Sequence, residues 1–351
     1  MQRPPGISRQ RGTESGSECA SLRDYYITRA GRLRRSENTI DFELASGTKR
    51  TIPLNDIKSI HLFSETDLNS KVLIFLNQHG VPVHFYNYYG YYSGSFYPRE
   101  KLVSGVIVVK QVEHYNEVEK RLYLAREFID TAIHNILQNL VHYRDSGKDV
   151  SMFIEKIRSE AATLESRASV PDIMGVEGRS REIYYSSFDT ILREGFAFER
   201  RSKQPPENRL NALISFGNSL LYATTLSEIY HTQLHPAISY LHEPGERRFS
   251  LALDLAEVFK PIIVDRAIFN LINNRIIKPE EHFALELNSC YLNEEGRRIF
   301  IQEYEKRLSM TLHHARLKRH VSYQRLIRIE AFKLVRHLLG EGRYNGFKSK
   351  W

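Results

Sequence analysis

Residues 115–144 read YNEVEKRLYLAREFIDTAIHNILQNLVHYR, one long amphipathic segment, and they divide the chain in two. Upstream, from Tyr25 to about Tyr97, the pattern is one of strands and turns. YYIT, RLRR and TIDFEL are short alternating runs. Ser46-Gly47 separates TIDFEL from KRTIPL, and DIKSIHLF places Ile57, Ile60 and Leu62 in a further strand. One helix interrupts: DLNSKVLIFLNQHG sets Leu68, Val72, Phe75 and Leu76 on one stripe and stops at Gly80. From about Leu102 onward the pattern is helical. Helices are expected over 150–167, 178–193, 207–232, 249–266, 294–308 and 322–340, with a strand pair or a loop at EEHFALELNSCYL. The predicted class is α+β: a small N-terminal β-rich domain with one helix, residues 23–100, then a larger all-α C-terminal domain, residues 101–351.

The 351 residues are 41% hydrophobic and 26% charged, an ordinary globular balance, and no apolar run approaches a transmembrane span. The first 22 residues, MQRPPGISRQRGTESGSECASL, are rich in Gly, Ser, Pro and Arg and lack the apolar run of a secretory signal. They read as a disordered extension or a mis-set start. Two cysteines, Cys19 and Cys290, exclude a disulfide framework and point to a reducing cytoplasm. A net charge of +8 favours an anionic partner, nucleic acid first.

Chemistry-bearing residues cluster in three places. In LHEPGERRFSLALDLAEVFKPIIVD, Asp254 and Glu257 stand three apart on one face of a helix that is apolar nearly all round. A solvated face is one explanation. Burial is the other, and buried carboxylates need a cation or a hydrogen-bonding partner. His242 lies on the loop leading in. In MGVEGRSREIYYSSF, Glu177 sits between Gly175 and Gly178 on a turn expected to open a helix. There it is either favoured by the helix dipole or presented to a phosphate or metal. One His with two or three carboxylates suits Mg²⁺ or Mn²⁺. Isolated cysteines exclude a thiolate zinc site, and no P-loop or nucleophile elbow is present. Basic segments supply Arg200, Arg201 and Lys203, then Arg247 and Arg248, then Arg316, Lys318, Arg319, Arg325 and Arg328. Each is either a solvated surface or a contact to a phosphate backbone.

The ordered stretches MGVEG, SKQPPENRLNALISFGNSLLY, HPAISYLHEP and FSLALDLAEVFKPIIVDR resemble CRISPR-associated protein 1, the integrase and endonuclease of the adaptation module. YLNEEGRRIFIQEYEKRL, SYQRLIRIEAFKLVRHLLGE and, at the front, YYITRAGRLRRSENTIDFE extend the resemblance over residues 23 to 351. It implies an N-terminal β domain, a C-terminal α-helical catalytic domain, and a homodimer that assembles with the small second CRISPR-associated protein on protospacer and repeat DNA. It implies Mg²⁺ or Mn²⁺ held by Glu177, His242 and Glu257, with Asp254 as a supporting ligand or a group behind the ligands. Some members carry Asp at the position of Glu257. Arg200, Arg201, Lys203, Arg247 and Arg248 are the candidates for phosphate contacts. Two other functions stay open: a metal-dependent nuclease cleaving branched DNA with the same residues, and a DNA-binding scaffold without catalysis, which needs none of them.

Overall fold

The computed structural model describes residues 22–203, 205–245 and 249–350. Eight strands come first: β1 (Arg23–Ile27), β2 (Gly31–Ser36), β3 (Thr39–Leu44), β4 (Lys49–Pro53), β5 (Ile57–Leu62), β6 (Thr66–Asp67), β7 (Val83–Tyr86) and β8 (Tyr92–Phe96). Helix α1 (Ser70–His79) lies between β6 and β7. The strands form two four-stranded sheets, ordered β4-β3-β2-β6 and β1-β5-β7-β8. In the second, β1, β5 and β7 run parallel and β8 antiparallel. Helix α1 forms where the stripe predicts it. Asn69 caps it by accepting from Val72 N at 3.0 Å, and Gly80 ends it at φ 69°, a left-handed conformation that glycine adopts without a Cβ penalty. Its Val72, Phe75 and Leu76 pack with Leu33, Ile40, Ile60 and Val83 in a core of their own.

The helices follow: α2 (Gly105–Asn116), α3 (Val118–Asp145), α4 (Ser151–Ala162), α5 (Val170–Ser186), α6 (Phe188–Ile191), α7 (Arg209–Tyr230), α8 (Ser250–Phe259) and α9 (Arg266–Asn273). Between α8 and α9, Lys260–Asp265 is a π-helical turn. Two hairpins then flank α10 (Glu294–Ser309): β9 (Phe283–Glu286) with β10 (Ser289–Leu292), and β11 (Thr311–His314) with β12 (Arg319–Ser322). Helix α11 (Tyr323–Leu338) is last. The C-terminal part is therefore mostly, not wholly, helical. The second hairpin has no Gly, Pro or Asn at its turn, and Lys318 takes the left-handed φ of 50° instead. That absence of a turn signal is why its sequence did not read as strands.

A second difference concerns Glu177. Helix α5 starts at Val170, well before the expected 178, because Ser169 accepts from Asp172 N at 3.2 Å and Pro171 occupies the first turn. Glu177 is thus mid-helix, not on a bend. Helix α7 is buried on nearly every side and runs through the main core. Its Asn208 cap accepts from Asn211 N at 2.9 Å. Asn208→Ala is expected to lower stability by about 1 kcal/mol, read as a shift in the urea midpoint without a change in slope.

The β region is tied to the helices by buried polar contacts. Glu228 on α7, fully buried, pairs with Lys58 of β5 and with Arg328 of α11, the latter at 2.6 Å. His84 on β7 meets Ser227 at 2.7 Å. Helix α3 does the corresponding work beneath the site. Asn135 donates to Val258 O at 3.0 Å and Asn139 to Pro261 O at 2.8 Å, satisfying carbonyls where α8 passes into the π turn. Among the described residues no helix is long and apolar enough to cross a membrane.

Candidate metal centre

Glu177 on α5, Glu257 on α8 and His242 on the loop before α8 line one cleft of about 720 Å³. The carboxylates are brought together by one guanidinium. Arg181, one turn along α5 from Glu177, donates through Nε to Glu177 and through Nη2 to Glu257. Lys260, three residues past Glu257, donates to its other oxygen. Burial alone would raise the Glu257 pKa. Arg181, then Lys260 and His242, outweigh it and hold the carboxyl down to about 2. A depressed carboxyl stabilises the fold above the unfolded value near 4.5, and that contribution is lost only as pH falls towards 2.

Asp254 answers why a carboxylate sits in so apolar a helix. It is fully buried, and both its oxygens are taken. Oδ2 accepts from Tyr240 N at 2.7 Å and Leu241 N at 3.0 Å. Oδ1 accepts from His242 N at 3.0 Å and pairs with His242 Nδ1 at 2.8 Å. With its proton on Nδ1 facing Asp254, the ring in its neutral form keeps its lone pair on Nε2. Asp254 thus organises the loop and the histidine. The same loop is fastened from α2 and α3. Gln111 donates to His235 O at 3.1 Å, and Tyr115 and Arg121 donate to Glu243 at 2.8 and 2.6 Å.

The donor set suits a hard divalent cation: two carboxylates, plus an imidazole whose second nitrogen is fixed by an acid. Among the described residues, no three His, Cys, Asp or Glu side chains are grouped to hold an ion as they stand. The carboxylates are paired with Arg181 and Lys260 instead. The site is therefore built for positive charge, and a metal would take it over from these side chains. From sequence Arg181 reads only as one of the residues on the helix after Glu177, with no role at the site, and Lys260 is not singled out, although their spacings of four and three from the two glutamates carry the signal. Asp265 was also missed. It ends the π turn, is buried, and burial lifts its carboxyl to about 7 against the pull of Arg181. Nη1 of Arg181 and Oδ2 of Asp265 are both buried with no hydrogen-bond partner among the described residues.

Arg200, Arg201 and Lys203 line the same cleft. They differ in availability. Arg201 is spent inward, on Asn211 Oδ1 at 3.0 Å and Ser215 Oγ at 2.9 Å. Arg200 is exposed and paired with Glu207 at 2.9 Å. Lys203 is exposed. Arg247 and Arg248, like Cys19 and residues 1–21 of the N-terminal extension, lie outside the described residues.

A β-rich N-terminal part followed by a mostly helical C-terminal part defines a class of fold shared with known proteins. The family model for CRISPR associated protein Cas1 matches residues 25–306. CRISPR-associated endonuclease Cas1 3 of Thermodesulfovibrio yellowstonii is 51% identical over 330 residues, 94% of this chain and 100% of that protein. The Cas1 endonuclease of Clostridium perfringens is 48% identical over 332 residues, 94% of this chain and 99% of its own. Among solved structures, TM1797, a Cas1 protein from Thermotoga maritima, superposes with a TM-score of 0.83 at 41% identity, covering 93% of this chain and 100% of that one. A casposase bound to integration product, 20% identical, shares the fold with a TM-score of 0.82 over 94% of this chain and 93% of its own. The chain belongs to the Cas1 family.

Proposed function

We propose that this chain is the DNA integrase and endonuclease of CRISPR adaptation, acting at the cleft of Glu177, His242 and Glu257. The observation that carries the chemistry is the pairing of His242 Nδ1 with Asp254, which turns Nε2 free beside two cation-bound carboxylates. Glu177, Glu257 and His242 would hold Mg²⁺ or Mn²⁺, the last through its Nε2. A divalent ion held there would supply Lewis acidity towards the scissile phosphate and a counter-charge for its transition state. Arg181 would have to release both carboxylates to such an ion, and Asp265, buried with an unpaired oxygen, is the acid that would receive its guanidinium.

The reaction is an ester exchange. The oxygen of a spacer 3′-hydroxyl bonds the repeat phosphorus, the repeat P–O3′ bond breaks, and the departing 3′-oxygen takes up a proton. One phosphodiester replaces another, so no nucleotide cofactor is consumed. Arg200 and Lys203, exposed at the cleft, hold phosphates. Arg201 shapes the wall on which they stand. The working unit is a homodimer with the small second CRISPR-associated protein, in the cytoplasm.

A strand-transfer assay on supercoiled repeat DNA with the small partner tests this. Joined product is expected with Mn²⁺ and none in EDTA. Cleavage without joining would make the protein a hydrolytic nuclease.

The pH dependence follows from His242. Burial would lower its pKa, but the hydrogen bond and charge of Asp254, and the charge of Glu257, lift it above 6.5. A raised value stabilises the metal-free fold below about 6.5, and that contribution is lost as pH rises through the folded value. Metal binding needs the neutral ring and runs the opposite way. Mn²⁺ should therefore raise the melting temperature more at about pH 8 than at about pH 6. Equal shifts would remove His242 from the ligand set.

A further inference from the structure

We propose that the β11–β12 hairpin is a binding site for the phosphate backbone of duplex DNA, distinct from the metal cleft. The proposal rests on the DNA function above and adds a second contact surface to it.

The hairpin is short, and its two faces differ. Leu312 pairs with Val321 and turns towards the main core, which seats the base of the hairpin. From Ala315 to His320 every residue is exposed, so the end stands clear of the body. That end carries Arg316, Lys318 and Arg319, with the exposed His313 and His320 cross-strand at 5.8 Å between ring centroids. From Lys306 to Ile329 the chain holds seven Lys or Arg and no Asp or Glu. Elsewhere in this stretch Lys306 and Arg307 pair with Glu303, and Arg328 with Glu228. Arg316, Lys318 and Arg319 enter no ion pair among the described residues. Arg325, at the start of α11, extends the field, and Arg319 lies near enough to help lower its pKa after burial and Arg328.

Three unpaired cations on a projecting ribbon are a counter-charge for a polyanion. A two-stranded ribbon fits the width of a duplex groove. Single-stranded DNA is the poorer fit, because the hairpin exposes no Phe, Tyr or Trp on which bases would stack. The contacts are to phosphates, so they add affinity and position rather than sequence choice.

The test is equilibrium binding in EDTA, by fluorescence anisotropy, to a duplex of arbitrary sequence and to an oligo(dT) of equal length over a salt series. The variant is Arg316→Gln/Lys318→Gln/Arg319→Gln, with melting temperature as the folding control and Arg319→Ala as a milder second variant. Each lost phosphate contact removes about 0.9 from the slope of log K against log salt. The triple variant should lose roughly 2–3 from the duplex slope, bind duplex about tenfold or more weakly near physiological salt, and melt as the parent does. Arg319→Ala should lose about 1 from the slope. Unchanged duplex affinity and slope in the triple variant overturn the proposal, including the case where only the small partner protein is lost. An equal loss for oligo(dT) overturns the duplex assignment. Strand joining by the parent is followed in parallel. Normal joining by the parent together with unchanged duplex binding by the triple variant sinks the hairpin alone, whereas a parent that binds no duplex sinks the DNA function as well.

Discussion

Glu257→Gln is expected to abolish strand joining. The side chain is almost fully buried, and its carboxyl, held down to about 2, is charged at every working pH. Glutamine keeps the shape and removes the charge, which leaves the proposed cation one carboxylate short. Losing a group behind the ligands costs roughly 10–100-fold in metal affinity or activity, and losing a ligand should exceed that. Stability falls too. Lys260 loses its carboxylate partner and Arg181 one of two, and breaking a buried pair costs on the order of 3–5 kcal/mol. Assays should run well below the variant's melting temperature, with Glu257→Asp beside it. The aspartate keeps the charge on a shorter arm and is expected to retain measurable joining. If Glu257→Gln joins DNA as the parent does, Glu257 holds no catalytic ion.

Asp254→Ala is expected to damage fold and chemistry together. Three backbone N–H groups and the imidazole N–H converge on this one carboxylate. A buried donor left without a partner costs about 1–3 kcal/mol, so the 240–242 loop should loosen by several kcal/mol in total. His242 would then lose the hydrogen bond that fixes its tautomer, and Mn²⁺ affinity should fall about 10–100-fold. Asp254→Asn separates the effects. It keeps an acceptor but also presents an N–H₂ towards donors, so it should recover part of the stability and little of the metal affinity. Calorimetry of unfolding and of Mn²⁺ titration reads both. Full metal affinity in a destabilised Asp254→Ala would show that the pairing with His242 has no part in the site.

Much of this was legible in the chain, and the losses have identifiable causes. The β-to-α order and the helix closed by Gly80 were readable because period and capping residues agree there. The start of α5 was missed because Gly175 and Gly178 read as turn residues, while the stronger signals, Ser169 and Pro171, lie upstream. The second hairpin carries cations where turns usually carry Gly or Asn. At the site, spacing and composition alone leave Asp254 and Glu257 equivalent, and only the family resemblance set Glu257 apart. Three dimensions separate them: one is saturated by a loop folded back over α8, the other is held by side chains that can leave. The part played by Arg181 is a tertiary fact, since it joins glutamates 80 positions apart.

The most direct measurement is a crystal structure with Mn²⁺, read by anomalous difference density. One peak is predicted, bonded at about 2.0–2.3 Å to Glu177, Glu257 and His242 Nε2, with Asp254 still on Nδ1 and Arg181 released towards Asp265. A crystal saturated with Mn²⁺ in which Arg181 still bridges the two glutamates and the peak lies elsewhere would contradict the account.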